Sequence, residues 1–330
     1  MQTRIKHTAL AAVALCAGAL VLQPVTAQDQ RPAPAREKRT VTPFHTLELS
    51  GPFRVIVSAG APSLELSGAP SALAGIESEV RGGTLYVRQK SRWGIHLGPD
   101  RKREQVVVRI GAANLRSVST GGSGDVDLEQ VGGERFSLTS TGPGDVRARG
   151  AVRELLVTSS GSGDLDLRRM KTGDADVKLS GPGDVELASV GNELAVQMSG
   201  SGDLRADGMR AARVRARMQG PGDLKLSGAA RELQLESNGS GDFEACELAV
   251  EGVRSVQRGP GNACIGGSIR RFDAEVHGSG ELQARGLQAA SGQLRLGGPG
   301  NAELSGSIGE LRLDMSGSGD LNGENLQVGK

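Results

Sequence analysis

Gly122-Ser123-Gly124-Asp125 recurs ten more times in this chain with small changes, starting at Gly142, Gly161, Gly181, Gly200, Gly220, Gly239, Gly259, Gly278, Gly298 and Gly317. The second residue alternates without interruption, Ser then Pro, as far as Ser318. The intervals alternate too, 20 then 19, so like returns to like every 39 residues. One such tetrapeptide could be read as a phosphate or metal loop. Eleven at a fixed interval read as the corner of a repeating architecture.

Each unit has one grammar. A strand leads in, as in Leu194-x-Val196-x-Met198, and a short one leaves, as in Val126-x-Leu128 or Leu165-x-Leu167. Alternate side chains of a strand share a face, so these apolar residues point inside. At the corner, glycine suits a positive φ, proline fixes φ where no ladder donor is required, and aspartate holds the bend through its own neighbouring N–H groups. Gly122, Gly124, Asp125, Gly142, Gly144, Asp145, Gly161, Gly163, Asp164, Gly181, Gly183 and Asp184 are therefore expected to be structural. Asn262, Asn301 and Glu281 replace the aspartate, which argues for a role that does not depend on charge. A second, less regular bend closes each unit, as at Arg149-Gly150-Ala151.

Repeats of this size stack as a solenoid with parallel ladders about 4.8 Å apart. The alternation favours a 39-residue coil. With a 20-residue coil, a proline that lacks a donor would lie between every pair of serine corners. A 39-residue coil gives two aspartate columns, one holding Asp125, Asp164, Asp203, Asp242 and Asp320 and the other Asp145, Asp184 and Asp223. It also sets Cys246 and Cys264 on different sides, against a disulfide that an exporting compartment would otherwise permit.

Of 330 residues 50 are glycine, against five Phe, one Tyr and one Trp. The core must be thin and aliphatic. Residues 1–27 read as a secretory signal: Arg4, Lys6 and His7, an apolar Ala9–Leu22, then Val25-Thr26-Ala27 before cleavage. The remainder carries 37 basic and 38 acidic side chains. A field so nearly balanced gives no reason to expect nucleic acid or an anionic membrane as partner. No later apolar run is long enough to span a bilayer. The expected product is exported, to the periplasm, outer surface or medium, with homo-oligomers allowed. Residues 28–40 read as a flexible leader. Residues 41–115 form a strand-rich part with a helical turn near Ser71–Ile76, and 116–330 the repeat array.

The chain is similar to the putative auto-transporter adhesin head domain, or GIN domain, of exported bacterial proteins. The resemblance rests on Phe44-x-x-Leu47-x-Leu49-x-Gly51-x-Phe53-x-Val55-x-Val57, on Gly83-x-Leu85-x-Val87, and on Leu115 leading into the corner array. It covers about residues 41–330. It implies an all-β protein, a right-handed parallel β-helix, with a role in adhesion and no shared catalytic residues or cofactor.

Four features carry candidate chemistry. The aspartate column could recruit calcium, but its acids are sparser than in nonapeptide calcium repeats, so corner holding is expected and no metal. Asp125/Asp127 and Asp164/Asp166 are the carboxylate pairs that a polysaccharide lyase or hydrolase would need. Two residues apart on a strand, they are neighbours and do not face each other across a substrate. Arg92, Trp93 and His96 lie in a polar loop that either binds a surface ligand, glycan or protein, or covers the end of the core. Arg213, Arg215 and Arg217 line one strand's outer face, a solvated edge or an anion surface. The expected function is non-enzymatic adhesion or envelope-surface binding, with a structural envelope scaffold as the further alternative.

Overall fold

The computed structural model describes residues 35–90 and 105–329. Val126 pairs with Val146, Val146 with Leu165 and Leu165 with Val185, all in parallel. The same column runs on to Ala302 and Leu321. One coil is therefore one 19- or 20-residue unit, and the parallel β-solenoid has about 11 turns. The 39-residue coil expected from the sequence is wrong, and the corner shows why. Gly163 N–H donates to the Gly142 carbonyl (3.3 Å) and Ser160 N–H to that of Ser140 (2.9 Å). The second corner residue donates no ladder bond, so Ser162 and Pro143 stack without loss. The 39-residue rhythm reflects coils of alternating length. The odd residue is absorbed at the far bend, where pairing slips between Ala148 and Gly150 and again between Ala206 and Met209.

The corner glycines do not have positive φ, contrary to expectation; among the described residues that conformation occurs at far bends such as Gly150 and Gly228. Corner glycines are needed for close approach. A Cβ on Gly161 would overlap the Gly142 carbonyl, and one on Gly163 the Gly144 carbonyl. Stacked backbones leave no room for any side chain there.

Inward residues form continuous columns, for example Phe136, Leu155, Ala175 and Leu194. All five phenylalanines are buried. Each large aliphatic residue removed from water in this way contributes about 2 kcal/mol.

The solenoid starts earlier than residue 116. Thr46–Ser50 lies beneath Ser117–Thr120, and Arg54–Ala59 beneath Val126–Leu128. Between them Gly51-Pro52-Phe53-Arg54 makes a corner under the first repeat corner. Gly124 N–H donates to the Gly51 carbonyl (3.2 Å) and Val55 N–H to that of Asp125 (2.8 Å). Pro52 thus extends the Ser/Pro alternation across a long insertion.

That insertion closes the N-terminal end. Thr84–Gln89 and Val107–Ala112 continue the parallel stack beneath Thr46–Ser50 and Arg54–Ala59. Two antiparallel strands then terminate it, Ile76–Arg81 on the first and Ser63–Gly68 on the second. The short helix Pro70–Leu73 buries Leu73 beside them. Ala35–Arg39, expected to be flexible leader, is a strand paired with Ser63–Gly68. Its place is held by Arg39, which donates to the Ile76 carbonyl (2.8 Å) and the Ser78 hydroxyl (3.0 Å). No helix among the described residues is long and apolar enough to cross a membrane.

Candidate functional site on the outer flanks

The corner aspartates form one column, not two, and they bond between coils instead of to their own backbone. Asp164 Oδ1 accepts from Asp184 N–H (2.9 Å), Asp184 from Asp203 (2.8 Å) and Asp203 from Asp223 (2.8 Å). In return the Asp184 carbonyl accepts from Leu165 N–H (2.8 Å). Only an acceptor oxygen is required, so Asn262 serves Glu281 N–H (2.9 Å) and Asn301 serves Asp320 N–H (2.9 Å). Among the described residues no group of three His, Cys, Asp or Glu side chains is placed to hold a metal ion.

Cys246 and Cys264 form a disulfide with Cα atoms 5.2 Å apart. The shorter coil brings them to neighbouring turns, reversing the consequence drawn from a 39-residue coil. The bond spans a place where pairing slips, between Ala245 and Ala249. Closing an 18-residue loop stabilises by about 3 kcal/mol in the chain-entropy account. Arg92, Trp93 and His96 lie outside the described residues.

The strands that leave the corners carry an outer flank rich in ion pairs. Arg54 pairs with Asp127 (2.7 Å), Arg168 with Asp166 (2.8 Å), Arg205 with Asp207 (2.7 Å) and Lys225 with Glu244 (2.8 Å). The hydrogen bond from Arg168 holds the Asp166 carboxyl below its ordinary range. Burial pushes Asp207 up, but hydrogen bonds from Arg205 and Ser227 outweigh it and its pKa is lowered. Such exposed pairs add little stability each. They do favour the ionised form of Asp166 and Asp207. A groove of about 440 Å³ here is lined by Arg54, Arg147, Arg149 and Arg169 together with Asp127, Glu129 and Asp166. Its Asp127 and Asp166 are each engaged by a guanidinium, and the lowered pKa of Asp166 is the opposite of what a general acid needs.

The strands that lead into the corners carry a different flank. A second groove, of about 450 Å³, is lined by Gln197, Arg215, Arg217, Gln234, Glu236, Arg254 and Arg258. Period-two alternation on Leu204–Met218 points Arg213, Arg215 and Arg217 outward while Val214, Ala216 and Met218 enter the core. Glu236 is shared by Arg217 (3.0 Å) and Arg258 (3.6 Å). Glu193 is shared by Arg213 (3.4 Å) and Arg215. Arg254 has no ion-pair partner among the described residues, although Asp273 is its ladder neighbour, so five guanidiniums stand against three carboxylates, Glu193, Glu236 and Asp273. The sequence reading found Arg213, Arg215 and Arg217 but not Arg254 or Arg258. The available signal was the 39-residue return, which maps Arg215 onto Arg254.

These features define a β-solenoid with a structural interior and corners, whose chemical variety lies on its outer flanks. The sequence pattern of the family described as "Putative auto-transporter adhesin, head GIN domain" matches residues 43–192, 175–269 and 268–330, and the chain belongs to that family. Among solved structures, it is similar to a putative adhesin from Bacteroides fragilis NCTC 9343, 17% identical, covering 88% of this chain and 97% of that one, with TM-score 0.36. It is also similar to a putative lipid binding protein from Parabacteroides distasonis ATCC 8503, with 17% identity, 88% and 97% coverage and TM-score 0.43. A putative adhesin from Parabacteroides merdae ATCC 43184 gives 15%, 88%, 97% and 0.41. No curated protein shows significant similarity to the chain.

Proposed function

We propose that the protein is exported and acts without catalysis, as an adhesin or envelope-surface binding protein that engages its target through a solenoid flank. The observation that carries this reading is the contrast between flanks. The groove on one is lined by four arginines and three acids, that on the other by four arginines and a single acid, Glu236. Membership of an adhesin family supports the class of function. The secretory signal read in residues 1–27 and the Cys246–Cys264 disulfide support an oxidising, exported location.

The test is attachment. Labelled mature protein, residues 28–330, should coat intact cells or their extracellular matrix, and deletion of its gene should reduce attachment while envelope integrity is unchanged. Loss of integrity with normal attachment would instead indicate a scaffold. Turnover of acidic polysaccharides that is lost on Asp166→Asn would indicate an enzyme.

A further inference from the structure

We infer that the arginine groove binds a linear polysaccharide in which acidic sugars alternate with neutral ones, lying along the solenoid axis. This rests on the adhesion reading and names its ligand. The argument starts from one column of the parallel ladder. Ala195, Arg215, Gln234 and Arg254 occupy the same outer position in four successive coils, bounded by Asp176 on one side and Asp273 on the other. Successive coils are about 4.8 Å apart, so Arg215 and Arg254 stand about 9.6 Å apart with an amide between them. A ligand lying along the column meets charge, then hydrogen-bonding amide, then charge.

That order matches a chain with one anionic group per disaccharide. Guanidinium is a planar fork suited to carboxylate or sulfate, and the Gln234 amide can donate to and accept from a hydroxyl or acetamido group. Arg217 and Arg258 widen the cationic strip beside the column, their shared Glu236 keeping both side chains oriented toward it. Arg254 has no acid to displace among the described residues, so it meets an incoming anion without first breaking an ion pair. The acids at both ends limit the strip to a few sugars, so affinity must come from contacts repeated on many molecules or along a long polymer.

The probes are hyaluronate (alternating), polygalacturonate (acidic at every sugar), neutral dextran, and vesicles of phosphatidylglycerol. The proteins are the wild type, R215Q/R254Q, and a control that removes two charges from the other flank, R147Q/R149Q. All substituted side chains are exposed, and unchanged thermal melting establishes that each variant is folded. The expected result is tightest binding to hyaluronate, weakened about tenfold or more in R215Q/R254Q and less than about twofold in the control, with a smaller salt dependence in the groove variant. Equal weakening in both variants, preference for polygalacturonate or for vesicles, or hyaluronate binding that survives R215Q/R254Q would overturn the inference. Attachment to cells without binding to any of these polymers would overturn it while leaving adhesion intact. Absence of both would remove the adhesion reading as well.

Discussion

The two ends of the solenoid solve the same problem differently. A parallel stack always leaves a last coil with an unpaired edge and an uncovered core. At the N-terminal end the chain spends residues 60–90 and 105–112 on closure, and Leu64, Leu66, Leu73 and Ile76 are each under 5% exposed. At the C-terminal end Leu311, Leu313 and Met315 stack on Gly292, Leu294 and Leu296, and no strand among the described residues covers them. Leu313 and Met315 are 41% and 45% exposed, although they belong to the same inward columns as fully buried residues. Position in the repeat is thus not enough to bury a side chain; a following coil is required.

The largest effect should separate the ends directly. Leu66→Ala should lower unfolding free energy by about 3–4 kcal/mol, as expected for a fully buried leucine. Leu313→Ala should cost about 1 kcal/mol or less, since nearly half the side chain is already in solvent. Urea titration of both variants checks this, and equal losses would mean that the C-terminal coil is covered in solution.

The disulfide offers the next discrimination. It lies in the half of the array nearer the C-terminal coil, where it can limit fraying. Replacing both Cys246 and Cys264 by serine should cost about 3 kcal/mol or somewhat less. Hydrogen exchange should quicken in residues 243–315 while the cap strands stay protected. Uniform acceleration across the chain would show that the bond acts on global stability instead.

Asp184 tests the corner column between the ends. Asp184→Ala removes the acceptor for Asp203 N–H and should cost about 1 kcal/mol. Asp184→Asn should change stability by only a few tenths, because Asn262 and Asn301 already fill this role. A large loss in the asparagine variant would mean that the charge itself matters.

The smallest effect is acid sensitivity. Asp166, Asp207 and Glu275 all have lowered folded-state pKa values, Glu275 through the hydrogen bond from His277 and then the Arg295 guanidinium. A depressed carboxylate stabilises the fold above its unfolded pKa, and this contribution is lost as pH falls through the folded value. Stability should therefore be flat near neutrality and decline below about pH 4. All three groups lie in the repeat array, so exchange there should quicken before exchange in the cap, and less so in high salt.

Much of this was legible in the chain, with identifiable gaps. The corner glycines, the alternating strands and the inward faces follow from local spacing. Coil length did not follow, because the argument from proline assumed that every corner residue takes part in the ladder. Pro52 was hidden because residues 60–116 interrupt the interval that made the other corners visible. The aspartates were assigned a local bond since sequence shows only sequential neighbours; their partners are 19 or 20 residues away. The candidate groove was half legible for the same reason. Arg215 and Arg217 stand on one strand, but Arg254 joins them only when two coils have been stacked.

The sequence by itself determined that this is a repeating all-β protein with tight corners, because glycine, proline and period-two alternation act within a few residues. Only the tertiary structure decided which residues stand above one another, and hence the single aspartate column, the disulfide, the arginine strip and the unequal ends. Ladder register depends on hydrogen bonds between coils, and those depend on which backbone groups the corner leaves free.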